Sequence, residues 1–193
     1  ATALAPYVSG KSAWEAVLTT PTGHREPRDA APRFALDVHS DLRGVAVQLP
    51  EPLGKTATQI RPLRIKLRPH PSEALGLALE YGEEARAALE LADFPHDPRL
   101  VRGELRINAG AAKLPDAPGL AVIARLPRWE LTAPTAKTSE NAARPWRVLR
   151  NLDARIGELI IGRQIFPGVT LNATRQDSGI QIEVNGEALA GRV

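Results

Sequence analysis

The feature that most constrains the fold is a period of two in the apolar residues. Alternating runs recur along the whole chain, among them Phe34, Leu36 and Val38. Successive side chains of a strand point to opposite faces of its sheet, so each run predicts a strand with one apolar face. Turn residues such as Asn185-Gly186 separate the runs. Short, evenly spaced strands favour an all-β fold, and we expect consecutive strands to pair antiparallel in a meander with at most one or two short helices.

Composition narrows the class further. The chain has 193 residues, enough for one domain, and 43% of them are apolar but only 4% aromatic, so the apolar surface is aliphatic. Without cysteine there is no disulfide, thiol nucleophile or cysteine-bound metal. The absence of methionine indicates a segment of a longer protein. No apolar run reaches the length of a membrane span, so any anchor is expected outside this sequence.

Two longer interruptions break the strand pattern. Residues 20–32 are rich in proline and charge and predict a surface loop, whereas residues 132–145 predict an irregular or short-helical connection, with a helix near Ser139 to Ala143. The restriction that Pro145 places on Arg144 would end that helix. Because the strand pattern resumes with similar composition on both sides, residues 1–193 are interpreted as one continuous sheet segment.

The alternation changes parity once, late in the chain. Leu152, Ala154 and Ile156 share one face, but Leu159 and Ile161 fall on the opposite parity. A β-bulge at Gly157-Glu158 would add one residue to the strand and so return Leu159 and Ile161 to the face that carries Ile156. The alternative is a strand that is buried on both faces at this point.

Motifs for catalysis or cofactor binding are incomplete. Gly10-Lys11-Ser12 and Gly54-Lys55-Thr56 look like the end of a phosphate-binding loop, but each lacks the required glycine five positions before its Gly-Lys pair. The four histidines are scattered, with no spacing typical of metal ligands. We therefore predict no catalytic residue, no metal and no cofactor. The basic stripe Arg64, Lys66 and Arg68 lacks the interleaved aromatic residues that single-stranded nucleic acids stack on, so nucleic acid is not an expected partner.

One segment has a recognisable sequence. Ser40 to Lys55, which reads SDLRGVAVQLPEPLGK, resembles the signature of the YhdP-like proteins of the AsmA/TamB superfamily. Val8-Ser9-Gly10-Lys11 is similar to the strand that precedes this signature. Arg102 to Gly110, followed by Pro118-Gly119-Leu120, is similar to a later hairpin, and the stretch from Leu152 to Leu171 resembles the terminal repeats. The similarity covers most of residues 7–193.

The resemblance implies a function in the envelope of Gram-negative bacteria. Members of this family look like elongated, curved sheets that form a groove with an apolar interior. They are implicated in moving phospholipid between the inner and outer membranes. The expected location is the periplasm, with an inner-membrane anchor and membrane contacts in parts of the parent protein outside this sequence. The family pattern contains no catalytic residues, so the protein is not expected to be an enzyme.

The expected partner is phospholipid, with other envelope proteins as a further class. The residues expected to line the groove are the apolar members of the alternating runs, namely Phe34, Leu36, Val38, Val45, Val47, Leu49, Leu75, Leu77, Leu79, Leu120, Val122, Val169, Leu171, Ile180 and Ile182.

Two other classes of function stay open. The sheet could be a scaffold module that recruits envelope proteins by strand addition at its edges. It could also be a jelly-roll enzyme. What separates the three is whether the apolar faces close into a dry core or leave a lined channel, and the alternation is the same in both cases.

Overall fold

The computed structural model describes residues 5–20, 34–69, 74–131, 147–176, 179–187 and 190–192. Elements in these ranges are thirteen strands and the 3₁₀ helix Ala5–Tyr7, which confirms the all-β prediction. The strands are β1 (Val8–Gly10), β2 (Glu15–Thr19), β3 (Ala35–Ser40), β4 (Val45–Val47), β5 (Leu63–Pro69), β6 (Leu75–Tyr81), β7 (Ala85–Ala92), β8 (Arg99–Ile107), β9 (Gly119–Leu131), β10 (Leu149–Ile161), β11 (Gln164–Gln176), β12 (Gly179–Asn185) and β13 (Ala190–Arg192).

Eleven of these strands form one large sheet, in the order β13-β12-β11-β10-β9-β8-β7-β6-β5-β3-β2. The sheet does not close into a barrel, and β2 and β13 lie at its two edges. Strands β1 and β4 pair with each other in a separate two-stranded sheet. Apart from Thr20, the loop predicted at 20–32 lies outside the described residues, as do the connection predicted at 132–145 and its short helix.

The prediction of a purely antiparallel sheet is wrong at two places. Strand β9 runs parallel to both of its neighbours, β8 and β10, and all other pairs in the sheet are antiparallel. The segment similar to a hairpin, Arg102 to Leu120, is therefore a parallel pair with a return connection. A parallel pair needs a long return instead of a tight turn. Residues 108–118 provide that return between β8 and β9.

Strand register aligns the apolar residues into rows that cross the sheet. The central row passes through ten strands and consists of Ala16, Val38, Ile65, Leu79, Ala87, Leu105, Val122, Leu152, Ala173 and Ile182. At the usual strand spacing of about 4.8 Å such a row extends about 43 Å. We call the side of the sheet that carries this row the apolar face.

The opposite side of the sheet carries the charged residues, and we call it the charged face. Asp37 and Arg68 form an ion pair at 2.8 Å, and Arg125 and Asp153 form another at 3.0 Å. The return connection 108–118 crosses this face. The Lys113 N–H donates to Glu104 Oε1 at 3.0 Å, and Arg102 Nη1 donates to the Pro115 carbonyl oxygen at 3.1 Å. The return connection therefore covers part of the charged face.

The parity change has a different origin from the predicted bulge. The register of β10 with β9 and with β11 is the same on both sides of Gly157-Glu158, so no single-strand insertion occurs there. Pro127, Gly157 and Gly168 lie side by side across β9, β10 and β11. Gly168 has a φ of 60°, and a Cβ on Gly157 would lie 2.5 Å from the Pro127 carbonyl oxygen. All three strands therefore share one irregular row.

Apolar residues on the two sides of this irregular row pack together. Ile156, Leu159 and Val169 form a buried cluster, which Leu126, Trp129, Phe166 and Val184 contact. In each of β9, β10 and β11 the clustered residues are three apart, a spacing that strict alternation would place on opposite faces. Leu159 and Ile160 are also both buried, in agreement with the alternative interpretation of burial on both faces.

Candidate functional site: an uncovered apolar face and its flanking loop

The apolar face is not covered by a second layer in the described part of the chain. The elements that contact each other most extensively are neighbouring strands of a sheet. Leu77, Leu79 and Val122 on this face are consequently only half-buried. The face is an aliphatic surface on which Leu77, Leu79 and Val122 stay partly accessible, whereas Leu75 and Val169 are buried.

Most of the predicted groove-lining residues lie on this one face. They are Leu36, Val38, Leu75, Leu77, Leu79, Leu120, Val122, Val169, Leu171, Ile180 and Ile182, and Phe34 continues the same alternation directly before β3. Val45, Val47 and Leu49 are elsewhere. Val45 and Val47 belong to β4 in the small sheet, and Leu49 follows that strand.

The small sheet is where the segment resembling the family signature folds. Val8 pairs with Val47, and Gly10 pairs with Val45, so the strand similar to the one before the signature pairs directly with it. Two glycines permit this close approach. Gly10 has a φ of 101°, and a Cβ there would lie 2.0 Å from the Gly44 carbonyl oxygen. Gly44 has a φ of 88°, and a Cβ added there would lie 2.3 Å from the Lys11 carbonyl oxygen.

Lys55 is the buried charged residue that holds this segment together. Its Nζ donates hydrogen bonds to the carbonyl oxygens of Leu42 and Thr56, both at 2.9 Å, and to that of Val45. A lysine ammonium has three donors, and here each has a backbone acceptor. Burial lowers the pKa of Lys55, the charge of Arg61 lowers it further, and the charge of Asp41 opposes both effects.

We call residues 48–54, which follow β4, the flanking loop, and two side chains fix it beside the large sheet. Arg61 Nη1 donates to the carbonyl oxygens of Pro52 at 2.8 Å and Gly54 at 3.1 Å. The Tyr81 hydroxyl donates to the Leu53 carbonyl oxygen at 2.9 Å. The Arg61 guanidinium lies 5.0 Å from the centre of the Tyr81 ring. Since Tyr81 belongs to β6, these bonds tie the flanking loop to the end of the apolar face.

Sequence reasoning missed Lys55, Arg61 and Tyr81. Lys55 belongs to an incomplete phosphate-binding loop and ends the signature-like segment, and neither pattern predicts that it is buried. Its acceptors are backbone carbonyls, which any residue type supplies, so the sequence carries no pattern for them. A weak signal existed in the fact that Lys55 is the one lysine of residues 40–55.

The chemistry of the site is that of apolar binding. Its surface consists of leucine, isoleucine, valine and alanine side chains, which bind alkyl groups without fixed polar contacts. In the described ranges, no group of three or more histidine, aspartate or glutamate residues is placed to hold a metal ion. The same ranges contain no helix long and apolar enough to cross a membrane.

Comparison with known protein families gives a match over the whole chain. A family model described as YhdP protein matches residues 1–193. No curated protein and no solved structure matches the chain significantly.

Proposed function

The chain belongs to the YhdP family, and from that premise we propose that its apolar face shields phospholipid acyl chains in transit between two membranes. The chain would be one segment of a longer lipid-transfer protein. It would lie in the periplasm, between the inner and outer membranes. An inner-membrane anchor and the membrane contacts would be supplied by parts of the parent protein outside this sequence.

The observation that carries this proposal is the row of apolar side chains across ten strands, on which the described residues place no second layer. An acyl chain that leaves a membrane exposes its methylene groups to water at a cost of about 0.8 kcal/mol each. A continuous aliphatic surface removes much of that cost at every step. A surface without fixed polar contacts also lets the chain slide, because no hydrogen bond has to break.

The distribution of charge supports the same function. Ion pairs and the return connection lie on the charged face, as the contacts of Glu104 and Arg102 show. A domain stabilised only by its own core would cover its apolar face first, since that burial is the main favourable term in folding. In the ranges that the structure describes, no second layer packs on the apolar face of this sheet.

The proposal contains no chemical step. Movement along the face requires partition of the acyl chain and displacement by the next lipid, with the headgroup remaining in water. The source of energy and the direction of movement would then be set by the parent protein.

Photocrosslinking in cells tests the proposal. Benzoyl-phenylalanine placed at Leu79 in the parent protein should label phospholipid, detected by incorporated radioactive phosphate. The neighbouring position Glu80, on the charged face, is the matched control and should not be labelled. Equal labelling at both positions, or none at Leu79 in a protein that accumulates normally, would overturn the proposal.

A second candidate function is docking of an envelope protein by strand addition. It is favoured by the edge strand β2, which pairs only with β3 among the described strands and where Val17 is 48% and Leu18 is 63% exposed. An unpaired strand edge offers backbone groups to an incoming strand. A crosslinker at Val17 that yields a discrete protein adduct, while Leu79 yields none with lipid, would favour this second function.

A further inference from the structure

A hollow lies between the flanking loop and strand β9. Its volume is about 450 Å³, and it is lined by residues 50–52 on one side and residues 127–130 on the other. Strand β8 ends at Ile107, which pairs with Ala124, so in the described part of the chain β9 continues beyond it with only β10 as a neighbour. The flanking loop stands opposite this free margin of β9.

The lining of the hollow is suited to an alkyl chain. Pro50, Pro52 and Pro127 have no backbone N–H, so they present apolar rings without a donor. Trp129 adds a large, half-buried ring. The charged side chains of the lining are Glu51, Arg128 and Glu130.

Trp129 connects the hollow to the apolar face. The same side chain that lines the hollow also packs against the buried cluster of Ile156, Leu159 and Val169. The hollow therefore adjoins the buried cluster of the sheet through this one side chain. The volume falls in the range of about 300 to 1,000 Å³ that is usual for small-molecule sites.

The hollow is also preformed. Arg61 and Tyr81 hold the carbonyls of Pro52, Leu53 and Gly54, and the Leu53 and Gly54 N–H groups both donate to the Pro50 carbonyl oxygen, at 3.0 and 3.2 Å. A loop held by these bonds does not have to be ordered when a ligand enters. Preorganisation of this kind lowers the entropic cost of binding.

We propose that this hollow is a subsite for one acyl chain of a phospholipid, with Trp129 as its floor and Pro50 and Pro52 as its roof. This inference rests on the function proposed above and adds a defined resting point to the otherwise uniform apolar face. An acyl chain held there contacts the flanking loop on one side and β9 on the other, whereas elsewhere on the face it contacts only the sheet.

Quenching of single tryptophans tests the subsite. In the full 193-residue chain, Trp14→Phe and Trp146→Phe leave Trp129 as the sole tryptophan, and Trp129→Phe with Trp146→Phe leaves Trp14, which is 70% exposed, as the matched control. The probe is phosphatidylcholine with a doxyl group near the end of one acyl chain. We expect saturable quenching of Trp129 and little quenching of Trp14. Equal quenching of both, or none of Trp129, would overturn the subsite.

A second variant separates this inference from the proposed function. Pro50→Phe fills the hollow from the exposed loop side and keeps the carbonyl that Leu53 and Gly54 use. Total bound phospholipid, measured by extraction and mass spectrometry, should persist while quenching of Trp129 is lost. Persistent quenching in Pro50→Phe would refute the subsite alone, whereas absence of bound phospholipid from every form would refute the proposed function. Doxyl-stearic acid that quenches Trp129 where the labelled phospholipid does not would assign the hollow to free fatty acid and refute the phospholipid subsite.

Discussion

The Nζ of Lys55 donates a hydrogen bond to the carbonyl oxygen of Leu42 at 2.9 Å, and this contact joins the beginning of the signature-like segment to its last residue. Because Lys55 also bonds to Val45 and Thr56, one side chain fixes three points of the backbone. Lys55 thus holds the small sheet together, while the bonds of Arg61 and Tyr81 tie the flanking loop to the end of β6.

Replacement of Lys55 by methionine should destabilise the protein. The variant Lys55→Met keeps most of the side-chain volume but removes three hydrogen bonds from a charged donor, so we expect a loss of about 2 to 4 kcal/mol in the free energy of unfolding. Urea denaturation monitored by circular dichroism measures it. The control is Lys66→Met on the exposed charged face of β5, with an expected change within about 0.5 kcal/mol. Equal effects of the two substitutions would contradict the role assigned to Lys55.

The irregular row gives a second prediction. Gly157→Ala would place its Cβ 2.5 Å from the Pro127 carbonyl oxygen, which forces β9 and β10 apart. We expect a loss of about 1 to 3 kcal/mol in stability, the usual cost of overpacking. Gly179→Ala, where no heavy atom lies within 4 Å of the added Cβ, is the control and should change stability little. A Gly157→Ala variant as stable as the parent chain would show that the row can widen freely.

These features differ in how far the sequence predicts them. Alternation places Leu77 and Val122 on one face because a strand has a fixed period, whatever its neighbours are. It does not give the direction of β9, since Asn108-Ala109-Gly110 has the composition of a hairpin turn as well as of the start of a long return. The shared row of Pro127, Gly157 and Gly168 also escapes the sequence. The parity change is visible in β10, but its matching changes in β9 and β11 become apparent only when the three strands are aligned.

Glu104 gives a prediction on pH dependence. Burial raises its pKa, but hydrogen bonds from Arg106 and the Lys113 N–H, with the charges of Arg106 and Arg150, outweigh burial and lower the pKa overall. A carboxylate with a lowered pKa stabilises the fold above its unfolded pKa of about 4.3, and this contribution is lost as the pH falls through the folded-state pKa. Glu104→Gln should therefore be less stable than the parent chain at pH 7, by about 1 to 2 kcal/mol.

The difference in stability between Glu104→Gln and the parent chain should shrink as the pH is lowered below about 4, because Glu104 of the unfolded parent chain then becomes protonated. Thermal melting of both proteins between pH 3 and pH 7, as test conditions, measures it. Glu83→Gln at the exposed turn between β6 and β7 serves as the control. A stability difference that stays constant over the whole pH range would contradict the ionic role of Glu104.

The most direct test of the apolar face compares two adjacent residues of β6. Leu77 lies on the apolar face and is half-buried, whereas Ala78 lies on the charged face and is exposed. Because the Leu77 site is open, the guanidinium of Leu77→Arg can reach water, so we expect a stability loss of only about 1 to 2 kcal/mol. An unpaired charge in a dry core would instead cost several kcal/mol and unfold the chain.

Native mass spectrometry of the purified chain, after incubation with phosphatidylethanolamine vesicles, measures the lipid that stays bound to each form. We predict bound phospholipid on the parent chain and on Ala78→Arg, and its loss from a folded Leu77→Arg. Unfolding of Leu77→Arg, or equal lipid retention by folded Leu77→Arg and Ala78→Arg, would contradict the assignment of the apolar face as the path for acyl chains.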